Sequence, residues 1–154
     1  MIYLDNAATT YPKPPSVGKA VETALRTLGA NPGRGGHSMS LRTAEEIYHA
    51  REETAAFFGA EGPECVAFSL NCTAALNYVI KGCLRSGDHC VVSNLEHNAV
   101  MRPLAKLSEK GISYTEAEVV PGDNDQTVAN FRSSIRPNTR LIVCTQVSNV
   151  WGVR

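Results

Sequence analysis

One turn of this 154-residue chain has the residue types that bind a phosphate group. Cys72 and Thr73 follow an apolar run and open a helical pattern, and the first N–H groups of a helix are free to bind an anion. Asn71 or Thr73 is equally suited to a plain helix N-cap, and Cys72 to filling a tight turn. The turn has no Gly-Lys pair, which excludes a nucleotide-binding P-loop.

His97 and Asn149 are polar residues that each follow an apolar strand pattern. Ligand sites in open α/β sheets lie beyond the carboxyl ends of the strands. An imidazole at this edge can transfer a proton or stack on a planar ligand, and an amide can donate to a ring oxygen or a carboxylate. The simpler alternatives are a loop histidine that is solvated or satisfied by a backbone group, and an ordinary turn asparagine.

A glycine-rich loop over residues 31–40 contains Arg34 and His37. Its glycines allow the backbone to pass close to a ligand, and Arg34 can pair with a carboxylate or phosphate. The loop does not follow a strand and lacks the G-x-G-x-x-G spacing, so it is not a dinucleotide fingerprint. The alternative is an ordinary surface loop.

The elements that must position these residues alternate between short apolar strands and amphipathic helices. Prolines near the start indicate an N-terminal arm over residues 1–15, followed by one domain over residues 16–154. The apolar spacing predicts two helices, then a β-α-β-α-β-α-β order. This order is typical of an α/β fold with a mainly parallel sheet flanked by helices. The predicted helices are 16–28, 43–58, 73–84, 99–110 and 126–135, and the predicted strands are 65–68, 89–92, 112–120 and 141–144.

Composition restricts the class of protein further. Fifteen basic residues balance fifteen acidic ones, and 43% of the chain is hydrophobic. Neither a basic surface for nucleic acid nor an apolar run long enough to span a membrane is present in the sequence. The first residues lack the features of a signal peptide, and the five cysteines form no C-x-x-C pair. We therefore expect a cytoplasmic protein without a metal, nucleic-acid or membrane partner.

Several motifs follow one another along the chain. They are Tyr3–Thr10, Asn31–His37, Asn71–Asn77, Gly87–His89, Glu96–Val100 and Ser148–Gly152. Their order resembles the N-terminal part of class V aminotransferases and, within that group, the cysteine desulfurases. The resemblance covers essentially the whole chain. It implies a partial large domain of the type I aminotransferase fold, which binds pyridoxal 5′-phosphate (PLP).

The resemblance implies a role for each motif. Cys72 and Thr73 would hold the phosphate of PLP, in agreement with the helix N-terminus argument. His97 would be the catalytic residue, stacking on the pyridine ring and assisting proton transfer. Asn149 would contact the phenolic side of the cofactor or the substrate carboxylate. Four residues would line the substrate entrance near a dimer interface: Asn6, Ala7, Arg34 and His37.

The implied activity is that of a cysteine desulfurase, which converts L-cysteine to L-alanine and leaves the sulfur on an enzyme thiol as a persulfide. The match ends before the family's His-Lys pair, whose Lys forms the Schiff base, and before its catalytic Cys. None of the lysines in this sequence follows a His. We therefore expect an N-terminal portion that binds PLP without covalent attachment and is inactive on its own.

The resemblance also implies partners: an amino acid substrate, a second copy in a homodimer and a protein that accepts sulfur. The motifs leave other functions open. These are another class V aminotransferase, a selenocysteine lyase-like enzyme, and a noncatalytic module that dimerises with a full-length relative. The choice among the reactions depends largely on residues outside the matched motifs.

Overall fold

The structure, a computed structural model, describes residues 2–33 and 35–152. Its contacts divide the chain into two compact units, Met1–Phe68 and Ser69–Arg154. The boundary at residue 15 between an arm and one domain stays a prediction. Within the described ranges, every helix is too short or too polar to cross a lipid bilayer.

The first unit is built on two helices, α1 (Pro15–Thr27) and α2 (Ser38–Phe58). Helix α2 begins earlier than the predicted residue 43 because the ring of His37 caps it. The Nδ1 atom of His37 accepts the Ser40 N–H at 3.3 Å. The buried Ser40 hydroxyl donates to the Asn31 carbonyl at 2.6 Å and ties the glycine-rich loop to the helix. Gly59 ends the helix in the left-handed conformation, with φ 67°.

The predicted strand over residues 65–68 is wrong. A 3₁₀ helix occupies Pro63–Cys65, with the proline at its first turn. Val66 has extended backbone angles, φ −107° and ψ 121°, yet the sheet in the described part of the chain does not include it. An apolar run can extend the backbone, but a strand also needs a neighbour to pair its N–H and C=O groups.

The second unit confirms the predicted parallel α/β arrangement. Its three strands lie in the order β2-β1-β3, and both neighbouring pairs are parallel. Parallel strands require long crossover connections, and helices supply them here. The elements are α3 (Cys72–Cys83), β1 (His89–Ser93), α4 (Asn98–Ser108), β2 (Ser113–Ala117), α5 (Asn124–Ser134) and β3 (Thr139–Val143).

The central strand β1 is the core of this unit, because all five of its residues are buried. Successive side chains point to opposite faces of the sheet. On one face, strand residues join buried residues of α3 and α4 in a single apolar cluster, and each fully buried aliphatic side chain contributes roughly 1.5–3 kcal/mol. The cluster consists of Ile80, Leu84, Cys90, Val92, Val100, Leu104 and Ile112.

Strand β2 is shorter than the predicted 112–120 because side-chain oxygens accept the N–H groups of Val119 and Val120. The Val119 N–H donates to Asn94 Oδ1 at 3.0 Å. The Val120 N–H donates to Thr127 Oγ1 at 2.9 Å. Both bonds satisfy the backbone away from the sheet, so the ladder ends at Ala117.

On the face opposite Cys90, His89 connects all three strands. The ring is fully buried. Its Nδ1 is 2.8 Å from Thr139 Oγ1 and its Nε2 is 2.9 Å from Thr115 Oγ1, and Arg136 Nη2 donates to the same Thr115 hydroxyl at 2.9 Å. A hydroxyl both donates and accepts, so the neutral ring is satisfied on both sides. Burial, and then the charge of Arg136, lower the pKa of His89.

Acid should therefore destabilise this fold through His89. Its pKa is lower in the folded chain than in the unfolded chain, where it is about 6.5, so the unfolded state binds more protons at mildly acidic pH. The free energy of unfolding should be level between about pH 7 and 8 and should fall as the pH decreases below about 6.5. Urea titrations across this range measure the effect.

In those titrations, His89→Gln should flatten the dependence, whereas His49→Gln should retain it because His49 lies exposed on α2. Equal slopes for the wild type and His89→Gln would contradict the assignment.

Candidate functional site

Helix α3 begins at Cys72 because Asn71 caps it. The Asn71 backbone is extended, and its Oδ1 accepts the Ala74 N–H at 2.9 Å. The Ser69 hydroxyl donates to the Asn71 carbonyl at 2.9 Å and fixes the turn. The N-cap interpretation is thus confirmed for Asn71. The N–H groups of Cys72 and Thr73, at the first two positions of the helix, have no intrahelical carbonyl to bond to, so they can bind an anion.

His97 caps α4 with its own ring. Its Nδ1 accepts the Ala99 N–H at 3.0 Å, while the residue as a whole is exposed. A ring nitrogen that accepts a hydrogen bond has no proton of its own, so the neutral ring is the Nε2–H tautomer. The cap therefore fixes the ring and leaves Nε2–H free to donate a hydrogen bond.

Two cavities of the second unit meet at His97. One has a volume of about 410 Å³ and is lined by Thr73, His97 and the facing residues of α3 and α4. The other has a volume of about 200 Å³ and is lined by His97 and Asn149. The structure thus places two of the four predicted cofactor-binding residues, Thr73 and Asn149, at cavities that share a third, His97. The fourth, Cys72, adjoins Thr73 at the first position of α3.

The larger cavity has a cationic lining. Lys81 on α3 and Arg102 and Lys106 on α4 all border it. Lys81 and Lys106 lie in the last turns of α3 and α4, so the positive charge extends along both helices, and it favours an anionic ligand in the cavity. The cavity is therefore suited to a small molecule that bears a phosphate.

Glu96 joins the ends of two strands beside His97. Its Oε1 accepts the Ser93 hydroxyl at 2.7 Å and the Thr145 N–H at 2.6 Å. The Ser93 side chain belongs to β1, and Thr145 follows β3. Glu96 belongs to the Glu96–Val100 motif, but the residue types of that motif alone assign it no role. The signal in the sequence is a carboxylate shortly after a buried strand.

Two cysteines close to Glu96 are disfavoured as nucleophiles. Burial, and then the charge of Glu96, raise the pKa of Cys90 to about 11. The same two causes raise the pKa of Cys144. Because the thiolate is the reactive form, both side chains are held as thiols near neutral pH.

The predicted substrate residues lie in the first unit. Asn6 and Ala7 lie in an exposed turn, in which Asn6 Oδ1 accepts the Tyr11 N–H at 3.4 Å. His37 caps α2. Arg34 lies outside the described residues, and substrate binding by all four residues stays a prediction.

Residues 2–33 and 35–152 contain no group of three His, Cys, Asp or Glu side chains placed to hold a metal ion. A site that uses cationic side chains and helix N–H groups instead is suited to an organic anion.

The model of the class V aminotransferase family matches residues 2–154. The chain therefore belongs to that family, whose members use PLP. It is 36% identical over 154 residues to a probable cysteine desulfurase of Methanothermobacter thermautotrophicus, with 98% of this chain and 37% of the relative covered. It is 31% identical over 157 residues to cysteine desulfurase IscS of Acinetobacter baumannii, with 98% and 38% covered.

Solved structures give the same result for the fold. Apo cysteine desulfurase from Thermococcus onnurineus NA1 matches with a TM-score of 0.82 and 27% identity, over 96% of this chain and 37% of that chain. Cysteine desulfurase CsdA from Escherichia coli matches with a TM-score of 0.75 and 27% identity, over 97% and 38%. The chain thus spans just over a third of the length of these relatives.

The tautomer of His97 can be checked directly. We expect the neutral ring to be the Nε2–H form, because Nδ1 is occupied by the Ala99 N–H. Long-range ¹H–¹⁵N NMR correlation distinguishes the two tautomers. His49, whose ring has only Glu52 and Glu53 carboxylates near it at 3.5–3.6 Å, serves as an exposed reference. Protonation of neutral His97 at Nδ1 would rule out the ring cap.

Proposed function

We propose that this chain forms the PLP-holding part of a cysteine desulfurase, which releases sulfur from L-cysteine and leaves L-alanine. The observation that carries the proposal is the grouping of Thr73, His97 and Asn149 around adjoining cavities at the carboxyl edge of a parallel sheet. Ligands of open α/β sheets bind at this edge. The desulfurase names of the relatives support the choice of reaction.

The first turn of α3 fits the phosphate group of PLP. The N–H groups of Cys72 and Thr73 and the Thr73 hydroxyl supply donors, and the helix dipole favours negative charge at the same place. Lys81 and Arg102 add positive charge from the lining of the cavity. Donors of this type make short, charge-assisted hydrogen bonds to phosphate oxygens.

His97 and Asn149 fit the ring of the cofactor. The cap at Nδ1 holds the imidazole in one orientation, so its face can stack on a pyridine ring and its Nε2–H can donate a hydrogen bond. Asn149 offers an amide donor for the phenolic oxygen or the substrate carboxylate. PLP, when bound, supplies an electron sink for the substrate carbon atoms.

The proposed reaction breaks the C–S bond of L-cysteine and forms an S–S bond to a protein thiol. The thiol proton balances alanine formation, so the products are L-alanine and a protein persulfide. We assign no cysteine of this chain to that step. Cys90 is buried and its pKa is raised to about 11, which disfavours the thiolate that the step requires.

The wider proposal adds the partners that such a reaction needs. L-Cysteine is the substrate, an acceptor protein takes the persulfide sulfur, and the setting is the cytoplasm. Asn6, Ala7, Arg34 and His37 line the entrance for the substrate. Family membership supports these assignments.

The purified chain should bind PLP, and Thr73→Val should weaken binding by roughly 10- to 100-fold, because a hydrogen bond to a charged group contributes about 1.5–3 kcal/mol. PLP titrations followed by absorbance measure the dissociation constant. Thr54→Val is the matched control, since its hydroxyl bonds only to the Ala50 carbonyl on α2. Equal PLP affinity in the wild type and Thr73→Val would remove Thr73 from the site.

Borohydride reduction of the PLP complex followed by intact mass tests the mode of binding. We expect no specific pyridoxyl adduct, because no lysine of this chain is assigned to the Schiff base. A single adduct on one lysine would overturn the noncovalent mode.

For the reaction, the full polypeptide that the gene encodes should produce alanine and persulfide from L-cysteine, and His97→Ala should abolish this. Activity with another amino acid alone would contradict the desulfurase assignment.

We also propose that the chain self-associates as a dimer through α1. Val17, Val21 and Leu25 lie along one side of this helix and are 42%, 54% and 79% exposed. A contiguous apolar stripe of this kind favours contact with a second copy.

The oligomeric state tests this directly. Light scattering at micromolar concentration should give a dimer for the wild type and a monomer for Val21→Glu. Lys19→Glu, an exposed change on the same helix, should remain dimeric. A monomeric wild type would refute the proposal.

A further inference from the structure

We infer that Glu96 is a positioning residue: its carboxylate holds the segment that supplies His97 against the segment that supplies Asn149. This inference rests on the proposed function, because the spacing of those two side chains matters where they share a ligand. The motif alone does not assign this role to Glu96. The role is inferred from the hydrogen bonds of the Glu96 side chain.

The contacts of Glu96 connect two distant parts of the chain. A single oxygen, Oε1, accepts the Ser93 hydroxyl at 2.7 Å and the Thr145 N–H at 2.6 Å. Ser93 is fully buried at the end of β1, so the carboxylate is anchored on the rigid centre of the sheet. The bond to Thr145 spans 49 residues of sequence. Hydrogen bonds to a charged oxygen are shorter and stronger than those between neutral groups.

The segment after β3 starts at a hydrogen bond to Glu96 and ends in a local turn whose serine is buried. Glu96 holds its start at Thr145. Its other end is a turn in which the Ser148 carbonyl accepts the Gly152 N–H at 2.8 Å and the Ser148 hydroxyl accepts the Trp151 N–H at 3.3 Å. Ser148 is only 3% exposed. Asn149 follows it immediately, so the position of its amide depends on the hydrogen bond at Thr145 and on this turn.

The cavity of about 200 Å³ is where this arrangement matters. Glu96, His97 and Asn149 all line it. His97 is adjacent in sequence to Glu96, which accepts both hydrogen bonds, and Asn149 is four residues beyond Thr145, whose backbone N–H donates one of them. Removing the carboxylate frees the Thr145 segment from β1 and should change the distance between the imidazole and the amide.

Two substitutions separate the hydrogen bonds from the charge. Glu96→Ala removes the acceptor, whereas Glu96→Gln keeps an oxygen in the same place and loses only the charge. Amide exchange measured by NMR reports the bond to Thr145 directly. The amides of Val91 and Val92 in the buried centre of β1 give the stability of the whole unit in the same sample.

In Glu96→Ala we expect the Thr145 amide to exchange roughly tenfold faster or more, with the β1 amides unchanged and the Asn149 side-chain resonances shifted. Bound PLP should show an altered visible circular dichroism band, which reports the seating of its ring. In Glu96→Gln the Thr145 amide should exchange more slowly than in Glu96→Ala but faster than in the wild type, because the acceptor oxygen remains and its charge is lost. Its PLP band should resemble that of the wild type.

Wild-type exchange at Thr145 in Glu96→Ala would overturn the inference. So would equal acceleration at Thr145 and the β1 amides, which would make Glu96 a general stabiliser of the unit. If wild-type protein bound no PLP, the proposed function would fail. Amide exchange and the Asn149 resonances would still decide whether Glu96 holds the two segments together.

Discussion

The burial of strand β1 is the constraint on which the rest of the second unit depends. A strand covered on both faces and paired on both edges cannot shift register without exposing apolar side chains. Its neighbours are parallel to it, so the chain leaves all three strands at the same edge. His97 and Asn149 come to that edge because one follows β1 and the other follows β3. The site is thus a consequence of sheet topology before any side chain is considered.

Helix caps determine which hydrogen-bonding groups remain free at the carboxyl edge of the sheet. Asn71 satisfies the Ala74 amide and leaves two earlier N–H groups for a ligand. His97 uses one nitrogen for its cap and keeps the other. For these residues the structural and functional interpretations do not compete, because a cap employs only part of the hydrogen-bonding capacity of each side chain. A histidine that is already held in place also loses less freedom when it stacks on a ligand.

Most of the second unit could be predicted from the sequence, because its helices and strands have the local hydrophobic periodicity typical of each. Apolar runs and amphipathic spacing identify β1 and the helices on either side of it. Features that depend on distant partners were missed or misplaced. Within residues 2–33 and 35–152, no strand pairs with the extended backbone near Val66. Strand β2 ends early because the side chains of Asn94 and Thr127 accept the N–H groups of Val119 and Val120. The start of α2 was misplaced because histidine is not among the usual N-cap residues.

The two ends of the sheet show opposite uses of a titratable side chain. At the amino end, His89 is neutral, and its hydrogen bonds to threonine hydroxyls avoid the cost of a buried charge. At the carboxyl end, the half-buried Glu96 accepts two short hydrogen bonds, which offset the desolvation of a carboxylate. Its charge also raises the pKa of the thiols of Cys90 and Cys144. For a protein proposed to move sulfur onto one chosen thiol, a carboxylate at this point disfavours competing thiolates beside the site.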